Sequence, residues 1–217
     1  YPLGGELHVA PTANPRPAWQ GVVEQLRYSP LTALVLLLTL LVAGLTGLGD
    51  NHATLRWLTF QDYQVQGDYA YFTPWLDSLQ AGQWWRLFTP MLIHFGWLHL
   101  AMNDAQPLRQ CWLTLLLGLL SNLAQFWFGG SGLFGGLSGV LYGLLGHCWI
   151  FQLLAPSAAY QLPRGVLAMM LIWLLVCLSG AIDLLGFGAI ANAAHVGGLL
   201  AGCATGLLGG ALARARR

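Results

Sequence analysis

The sequence predicts an all-α polytopic membrane protein, and its composition supports this in two ways. Only 8% of the 217 residues are charged, whereas a soluble domain has about 25%. Hydrophobic residues make up 56% of the chain, and the mean hydropathy is +0.60. These values exclude an ordinary soluble domain, and they exclude a disordered chain, which needs low hydrophobicity and high net charge. The formal net charge of +1 gives no electrostatic support for nucleic-acid binding.

The uncharged stretches locate five predicted membrane spans. A helix that crosses a bilayer needs about 20 mostly apolar residues. Arg27 and Asp50 bracket the 22 uncharged residues 28–49, and Arg109 and Arg164 bracket the 54 uncharged residues 110–163. The longer stretch holds two helices, because the glycine cluster at 129–132 breaks it. The predicted helices cover residues 31–49, 111–128, 137–154, 165–182 and 191–213.

Residues 90–107 form a sixth and unusually short predicted span. A helix over residues 91–106 is about 24 Å long at 1.5 Å per residue, and Pro107 disturbs its continuation. The hydrocarbon core of a bilayer is about 30 Å thick. Six spans place both termini on one side, and the arginines of the basic tail 214–217 mark that side as cytoplasmic.

Two segments outside the spans have their own character. Residues 1–30 are predicted to form a flexible N-terminal segment, the lead-in, in which a short interfacial helix at 22–26 is one option. They lack the apolar stretch of a signal peptide. Residues 50–89, the first loop, lie on the outer side and suit the headgroup region because they are rich in aromatic residues. These aromatic residues are Trp57, Tyr63, Tyr69, Tyr71, Phe72, Trp75, Trp84 and Trp85.

Polar groups within the spans indicate a candidate site, because such groups are costly in a bilayer and often functional. Ser138 lies near the outer end of its helix and is flanked by glycines. His195 lies about one turn from the outer end of a helix that runs in the same direction. At similar depth, the two side chains suit a nucleophile and a general base. His99 and Asn103, four residues apart, share one helix face and suit an oxyanion hole.

Structural interpretations of these residues stay open. A serine between glycines is usually a packing residue, and a lone intramembrane histidine is often a hydrogen-bonding strut. His147 lies deeper in its helix, where a satisfied structural histidine is expected. The four cysteines have no metal-binding spacing and read as small buried hydrophobes. The glycines at 198, 202 and 206 predict a seam of close helix packing. The sequence implies no metal and no cofactor.

Four segments, in order along residues 28–213, together resemble the bacterial rhomboid intramembrane serine proteases of the GlpG type. They are Trp85-Arg86-Leu87-Phe88-Thr89-Pro90, His94-Phe95-Gly96-Trp97-Leu98-His99-Leu100-Ala101-Met102-Asn103, Gly136-Leu137-Ser138-Gly139-Val140-Leu141-Tyr142 and Asn192-Ala193-Ala194-His195-Val196-Gly197-Gly198. The resemblance implies a six-helix rhomboid bundle over residues 31–213, with a first loop associated with the membrane. The sequence departs from the family's pattern after Asn103, where a Glu-x-Arg-like motif is absent.

The resemblance also implies a role for each site residue. Ser138 is the nucleophile and His195 the general base of a dyad without an acid. His99 and Asn103 supply side chains to the oxyanion hole, and Tyr142 packs against His195. The supporting residues in the matched segments are Gly136, Gly139, Asn192, Trp85 and Arg86.

The function implied by the resemblance is cleavage of transmembrane or juxtamembrane segments of membrane proteins, in the bacterial inner membrane, at a site that opens to the outer side. The implied partners are transmembrane substrates and the bilayer, and the oligomeric state is left open. One alternative is a rhomboid-like protein that binds membrane helices with impaired catalysis, because its second helix is short. A transporter or channel is the other, although no inverted repeat supports it.

Overall fold

The computed structural model describes residues 30–95, 111–130, 132–185 and 190–216, and most of them are helical. The α-helices are α1 (Pro30–Thr46), α2 (His52–Leu55), α3 (Trp75–Gln80), α4 (Cys111–Phe128), α5 (Ser138–Leu154), α6 (Arg164–Leu178), α7 (Ala181–Leu184) and α8 (Asn192–Ala215). The strands are β1 (Tyr63–Gln66) and β2 (Tyr69–Phe72). Short 3-10 helices cover Gly47–Gly49, Trp84–Leu87, Thr89–Leu92 and Ala158–Tyr160.

The five long helices agree with five of the predicted spans. The predicted end of α1 at residue 49 includes a 3-10 turn in which Gly47, Leu48 and Gly49 all have positive φ. Glycine adopts this conformation without a Cβ clash, so the pair of glycines ends the helix. The predicted span 165–182 divides into α6 and α7, and α8 continues through Ala215 into the predicted basic tail.

Helix α8 packs against both α5 and α4 and forms the centre of the described bundle. A Cβ atom at Gly202 would overlap the carbonyl of Gly143 on α5, and a Cβ atom at Gly206 would collide with the backbone of His147. The two helices therefore approach closely enough for backbone atoms to touch. The predicted seam of close helix packing is confirmed.

The lengths of the described helices differ. Among the described residues, α8 is the one helix that is both long enough and apolar enough to cross a membrane. Helices α1, α4, α5 and α6 have 17, 18, 17 and 15 residues, or roughly 22–27 Å at 1.5 Å per residue. Leucines of α1 such as Leu37 and Leu41 are exposed, as expected for side chains that face lipid.

The mostly helical fold that the sequence predicts is observed, but the first loop contains two β-strands that the sequence analysis did not predict. Strands β1 and β2 form an antiparallel hairpin, with Tyr63 opposite Phe72. The aromatic residues of this loop also pack on the bundle rather than only lying at its surface. The ring of Phe60 stacks on that of Phe126 in α4 with centroids 4.9 Å apart, and the ring centroid of Trp75 lies 5.9 Å from that of Phe126.

Arg86 anchors the first loop. Its side chain is 1% exposed, and its guanidinium donates hydrogen bonds to the carbonyl oxygens of Arg56 (2.6 Å) and Thr59 (2.9 Å) and to Oε1 of Gln83 (2.6 Å). Asp62 lies 3.7 Å from the same guanidinium and accepts two hydrogen bonds from Arg56. A buried cation needs such partners because its desolvation is costly.

We predict that acid loosens this anchor. Burial raises the pKa of Asp62, but the hydrogen bonds from Arg56 and the charge of Arg86 outweigh burial and hold the pKa below its ordinary value of 3.8. A carboxylate whose pKa is lowered on folding stabilises the folded loop at pH values above its pKa in the unfolded chain. This contribution is lost as the pH falls through its pKa in the folded protein. Limited proteolysis of the first loop between pH 5 and pH 2.5 measures the effect.

The matched variants for this prediction are Asp62→Asn and Asp68→Asn. Asp68 is an exposed residue in the turn of the hairpin. Asp62→Asn is expected to make the loop sensitive to proteolysis already at pH 5, whereas Asp68→Asn retains the wild-type pH profile. Equal profiles for all three proteins would show that Asp62 does not control the anchor.

The predicted start of the second span was wrong. Met91 and Leu92 belong to the 3-10 helix Thr89–Leu92, and Ile93 has extended backbone angles (φ −79°, ψ 133°). No helix therefore begins at Met91. The remainder of that span, residues 96–107, lies outside the described residues, as do residues 1–29 of the lead-in, with the option of a helix at 22–26, and Arg217.

Candidate active site

Ser138 is the first residue of α5, and buried neighbours hold the loop that leads to it. Phe134 and Leu137 are 5% and 3% exposed. Gly136 has φ +108°, a backbone conformation that residues other than glycine rarely adopt. Its N–H donates to the carbonyl of Pro90 at 3.0 Å. The loop is therefore tied to the chain that leads into the second predicted span, and the serine has a defined position.

His195 meets Ser138 across the contact between α8 and α5. The distance between Ser138 Oγ and His195 Nε2 is 2.8 Å, although 57 residues separate the two. His195 is 5% exposed, and its ring centroid lies 4.9 Å from that of Tyr142, one turn after Ser138. The Tyr142 hydroxyl donates to the carbonyl of Met170 on α6 at 3.0 Å. Tyr142 thus links the imidazole to a third helix.

Two further predicted residues lie beside this pair. A Cβ atom at Gly139 would lie 2.7 Å from Cβ of Ser121 and 3.3 Å from the carbonyl oxygen of Ala194, so the absence of a side chain lets three helices meet. The side-chain amide Nδ2 of Asn192 donates to the carbonyl oxygen of Cys177 at 3.1 Å. This bond ties the first residue of α8 to the end of α6.

The other four predicted residues are not part of the described pair. Trp85 Nε1 donates to the carbonyl of Trp57 at 2.8 Å, so Trp85 and Arg86 hold the first loop together. His99 and Asn103 lie outside the described residues. Among the described residues, no group of three or more histidine, cysteine or acidic side chains is placed to hold a metal ion.

The arrangement of Ser138 and His195 suits nucleophilic attack by the serine oxygen. A serine hydroxyl is a weak nucleophile, and an imidazole nitrogen within hydrogen-bonding distance can take its proton as the oxygen attacks a carbonyl carbon. The distance of 2.8 Å lies within the range required for this transfer.

Gln125 is a polar residue of this region that the sequence reasoning missed. It is 3% exposed, and its Oε1 accepts a hydrogen bond from the backbone N–H of Ala194 at 3.0 Å. That N–H lies in the first turn of α8, where a helix has no internal acceptor for its donors. The available signal was the group of polar residues Ser121, Asn122 and Gln125 within an otherwise apolar helix.

We predict that Gln125→Met reduces stability and disturbs the position of His195. Methionine has similar length but no acceptor, and an unsatisfied buried N–H costs about 1–3 kcal/mol. Gln125→Glu keeps an oxygen at the same place and is the matched control. Unfolding of both variants in detergent micelles measures the difference. A Gln125→Met protein as stable as the wild type would show that Ala194 needs no acceptor from α4.

Comparison with known proteins assigns most of the chain to one family. A family model described as "Rhomboid domain" matches residues 81–211. The chain is 38% identical over 155 residues to "Rhomboid protease GlpG" of Serratia proteamaculans, which covers 64% of this chain and 54% of that protein. It is 33% identical over 186 residues to the protein of the same name from Pectobacterium atrosepticum, covering 80% of this chain and 60% of that protein.

The corresponding protein of Yersinia enterocolitica is 33% identical over 190 residues, with the same coverage of 80% and 60%. The chain thus spans between about half and two thirds of the length of these relatives. The matched region includes Ser138 and His195, and it includes α4, α5, α6 and most of α8. The chain therefore belongs to the rhomboid family of helical membrane proteins.

Proposed function

We propose that this protein is an intramembrane serine endopeptidase that cleaves transmembrane or juxtamembrane segments of membrane proteins. The single observation that carries the proposal is the 2.8 Å distance between Ser138 Oγ and His195 Nε2. The relatives in Serratia, Pectobacterium and Yersinia are named rhomboid proteases, which supports the same activity. The site needs no cofactor.

In this mechanism Ser138 and His195 act in two steps. His195 Nε2 takes the hydroxyl proton as Ser138 Oγ bonds to the carbonyl carbon of the substrate. The resulting oxyanion is stabilised by the backbone N–H of Ser138, with His99 and Asn103 as the proposed side-chain donors. The imidazolium then gives its proton to the leaving amine as the peptide bond breaks. A water molecule, deprotonated by His195, hydrolyses the acyl-enzyme and restores both side chains.

The same-direction arrangement of α5 and α8 supports a site near one surface of the membrane. Ser138 is the first residue of α5, and His195 is the fourth residue of α8. Three residues of helix correspond to about 4.5 Å, so both side chains lie within the first turn. We propose that this end faces outward, in a bacterial inner-membrane protein with six spans and both termini in the cytoplasm.

We predict that substrates with a locally unstable helix are cleaved faster. A helical amide is shielded by its own hydrogen bonds, so the scissile segment must unwind. Two glycines in place of leucines make unwinding easier by about 2 kcal/mol, which corresponds to roughly a tenfold or greater increase in rate. The measurement compares two single-span reporters in proteoliposomes, one with a Gly-Gly pair near its outer end and one with Leu-Leu.

The control for this experiment is the Ser138→Ala protein with both reporters. Cleavage by the wild type alone, and faster for the Gly-Gly reporter, is the expected result. Equal rates for the two reporters would contradict the unwinding step, and equal cleavage by the Ser138→Ala protein would contradict the proposed protease site.

A further inference from the structure

A cavity of about 450 Å³ lies at the far end of the bundle from Ser138. His147 lines it and is nine residues after Ser138 on α5, a separation of about 13 Å along the helix. Such a volume is within the range of small-molecule sites, about 300–1,000 Å³. The other aromatic and polar lining residues are Trp112, Phe151, Tyr160 and Thr205, and leucines of α4 and α8 complete the wall.

The cavity opens on the surface that faces lipid. Trp112, Leu208 and Leu212 line it and are 61%, 65% and 60% exposed. They belong to α4 and α8, which lie within the proposed membrane domain. These exposed apolar side chains would give an alkyl chain access to the cavity from the hydrocarbon of the bilayer.

His147 gives this apolar cavity one polar feature. It is 4% exposed, and its Nδ1 lies 3.0 Å from the hydroxyl of Thr205. That hydroxyl donates its single hydrogen to the carbonyl of Gly202 at 2.9 Å, so it must accept from Nδ1–H. Nε2 of a neutral imidazole is then an acceptor. Nε2 is buried and has no hydrogen-bond partner.

We propose that the cavity binds the alkyl chain of a membrane lipid whose polar end carries a hydroxyl donor for His147 Nε2. The apolar walls match an alkyl chain, and the fixed tautomer matches a donor rather than an acceptor. A buried acceptor without a partner costs free energy, and a lipid hydroxyl removes this cost. The proposal is independent of the protease chemistry, because neither Ser138 nor His195 lines the cavity.

Tyr160 contributes an aromatic ring to the wall beside His147. Its ring centroid lies 5.4 Å from that of His147 and 4.2 Å from that of Phe151. It belongs to the three-residue 3-10 helix Ala158–Tyr160, whereas the other aromatic walls belong to long helices.

The test is photolabelling of the full chain in lipid nanodiscs. The probes are hexadecanol and its methyl ether, each with the same diazirine in the chain, so that they differ only in the hydroxyl donor. Loss of one hydrogen bond corresponds to roughly a two- to tenfold loss of affinity. We expect the alcohol to label the ends of α4 and α8 that line the cavity. Its affinity is expected to exceed that of the ether by about two- to tenfold.

Two variants separate the cavity from its acceptor. A Cβ atom at Gly209 would lie 3.3 Å from the ring of Phe151, so Gly209→Leu places a side chain in the cavity and is expected to abolish labelling by both probes. Gly44→Leu is the matched control, because a Cβ at Gly44 meets nothing within 4 Å. His147→Phe keeps an aromatic ring without an acceptor and is expected to give equal labelling by alcohol and ether.

A third variant keeps the test decisive if His147→Phe fails to fold. Thr205→Val removes the acceptor that fixes the tautomer, so Nε2 can then donate as well. We expect the ether to bind Thr205→Val more tightly than it binds the wild type. Equal labelling of the wild type by both probes, or labelling unchanged by Gly209→Leu, would overturn the proposal. Ser138→Ala is expected to bind the alcohol like the wild type, which separates this site from the protease site.

Discussion

Replacing Ser138 with alanine is expected to abolish reaction with a fluorophosphonate probe and to lower reporter cleavage by at least about a thousandfold. The reason is that the probe and the substrate both require an activated serine oxygen. Ser138 Oγ is within 2.8 Å of an imidazole nitrogen, and alanine removes the oxygen. In-gel fluorescence of detergent-solubilised protein measures labelling, and proteoliposomes measure cleavage.

His195→Ala is expected to have nearly the same effect, because removal of either member of a nucleophile–base pair disables the pair. Ser179→Ala is the matched control. Ser179 is exposed at the end of α6, and its hydroxyl donates to the carbonyl of Val176. Labelling that survives in Ser138→Ala would place the reactive serine elsewhere. No labelling of a folded wild type would favour the alternative in which the protein binds membrane helices without cutting them.

Gly202→Val is expected to give the largest loss of stability of any single substitution in the seam between α5 and α8. A Cβ atom at Gly202 would overlap the carbonyl of Gly143. Backbone atoms cannot rotate away as a flexible side chain can, so the helices must separate. Overpacking a core typically costs about 1–3 kcal/mol and occasionally more, and this contact is between two backbones. Unfolding in mixed micelles measures the loss.

Activity is expected to fall together with stability in Gly202→Val, because separation of α5 from α8 also separates Ser138 from His195. Gly44→Val is the control, since it makes the same change on α1, where the added atoms meet open space. A Gly202→Val protein that unfolds like the Gly44→Val protein would show that α5 and α8 do not pack as described.

The hairpin in the first loop was readable from local sequence, yet it was missed. Gly67 and Asp68 form a two-residue turn between Gln66 and Tyr69, and Gly67 has φ +60°. Gly-Asp between short runs rich in tyrosine and valine is a hairpin signal. The aromatic residues were assigned to the headgroup region, and the alternation of side chains along the two strands was not used.

The sequence by itself determined the long helices and the candidate pair. The apolar runs and glycine breakers that place α4 and α5 are local features, because helix length and termination depend on neighbouring residues. Ser138 and His195 stood out because polar groups in apolar helices are rare, and their motifs resemble those of one family. The sequence predicts that these two residues pair across 57 positions, but the distance between them depends on how α5 and α8 pack.

Only the tertiary structure decided which buried polar atoms have partners. Gln125 accepts from Ala194 across 69 residues, and His147 meets Thr205 across 58. No local pattern predicts such contacts, because they depend on how α4, α5 and α8 are rotated against one another. The expectation that His147 is fully satisfied was wrong for the same reason: Thr205 occupies one ring nitrogen, and the packing leaves the other without a partner.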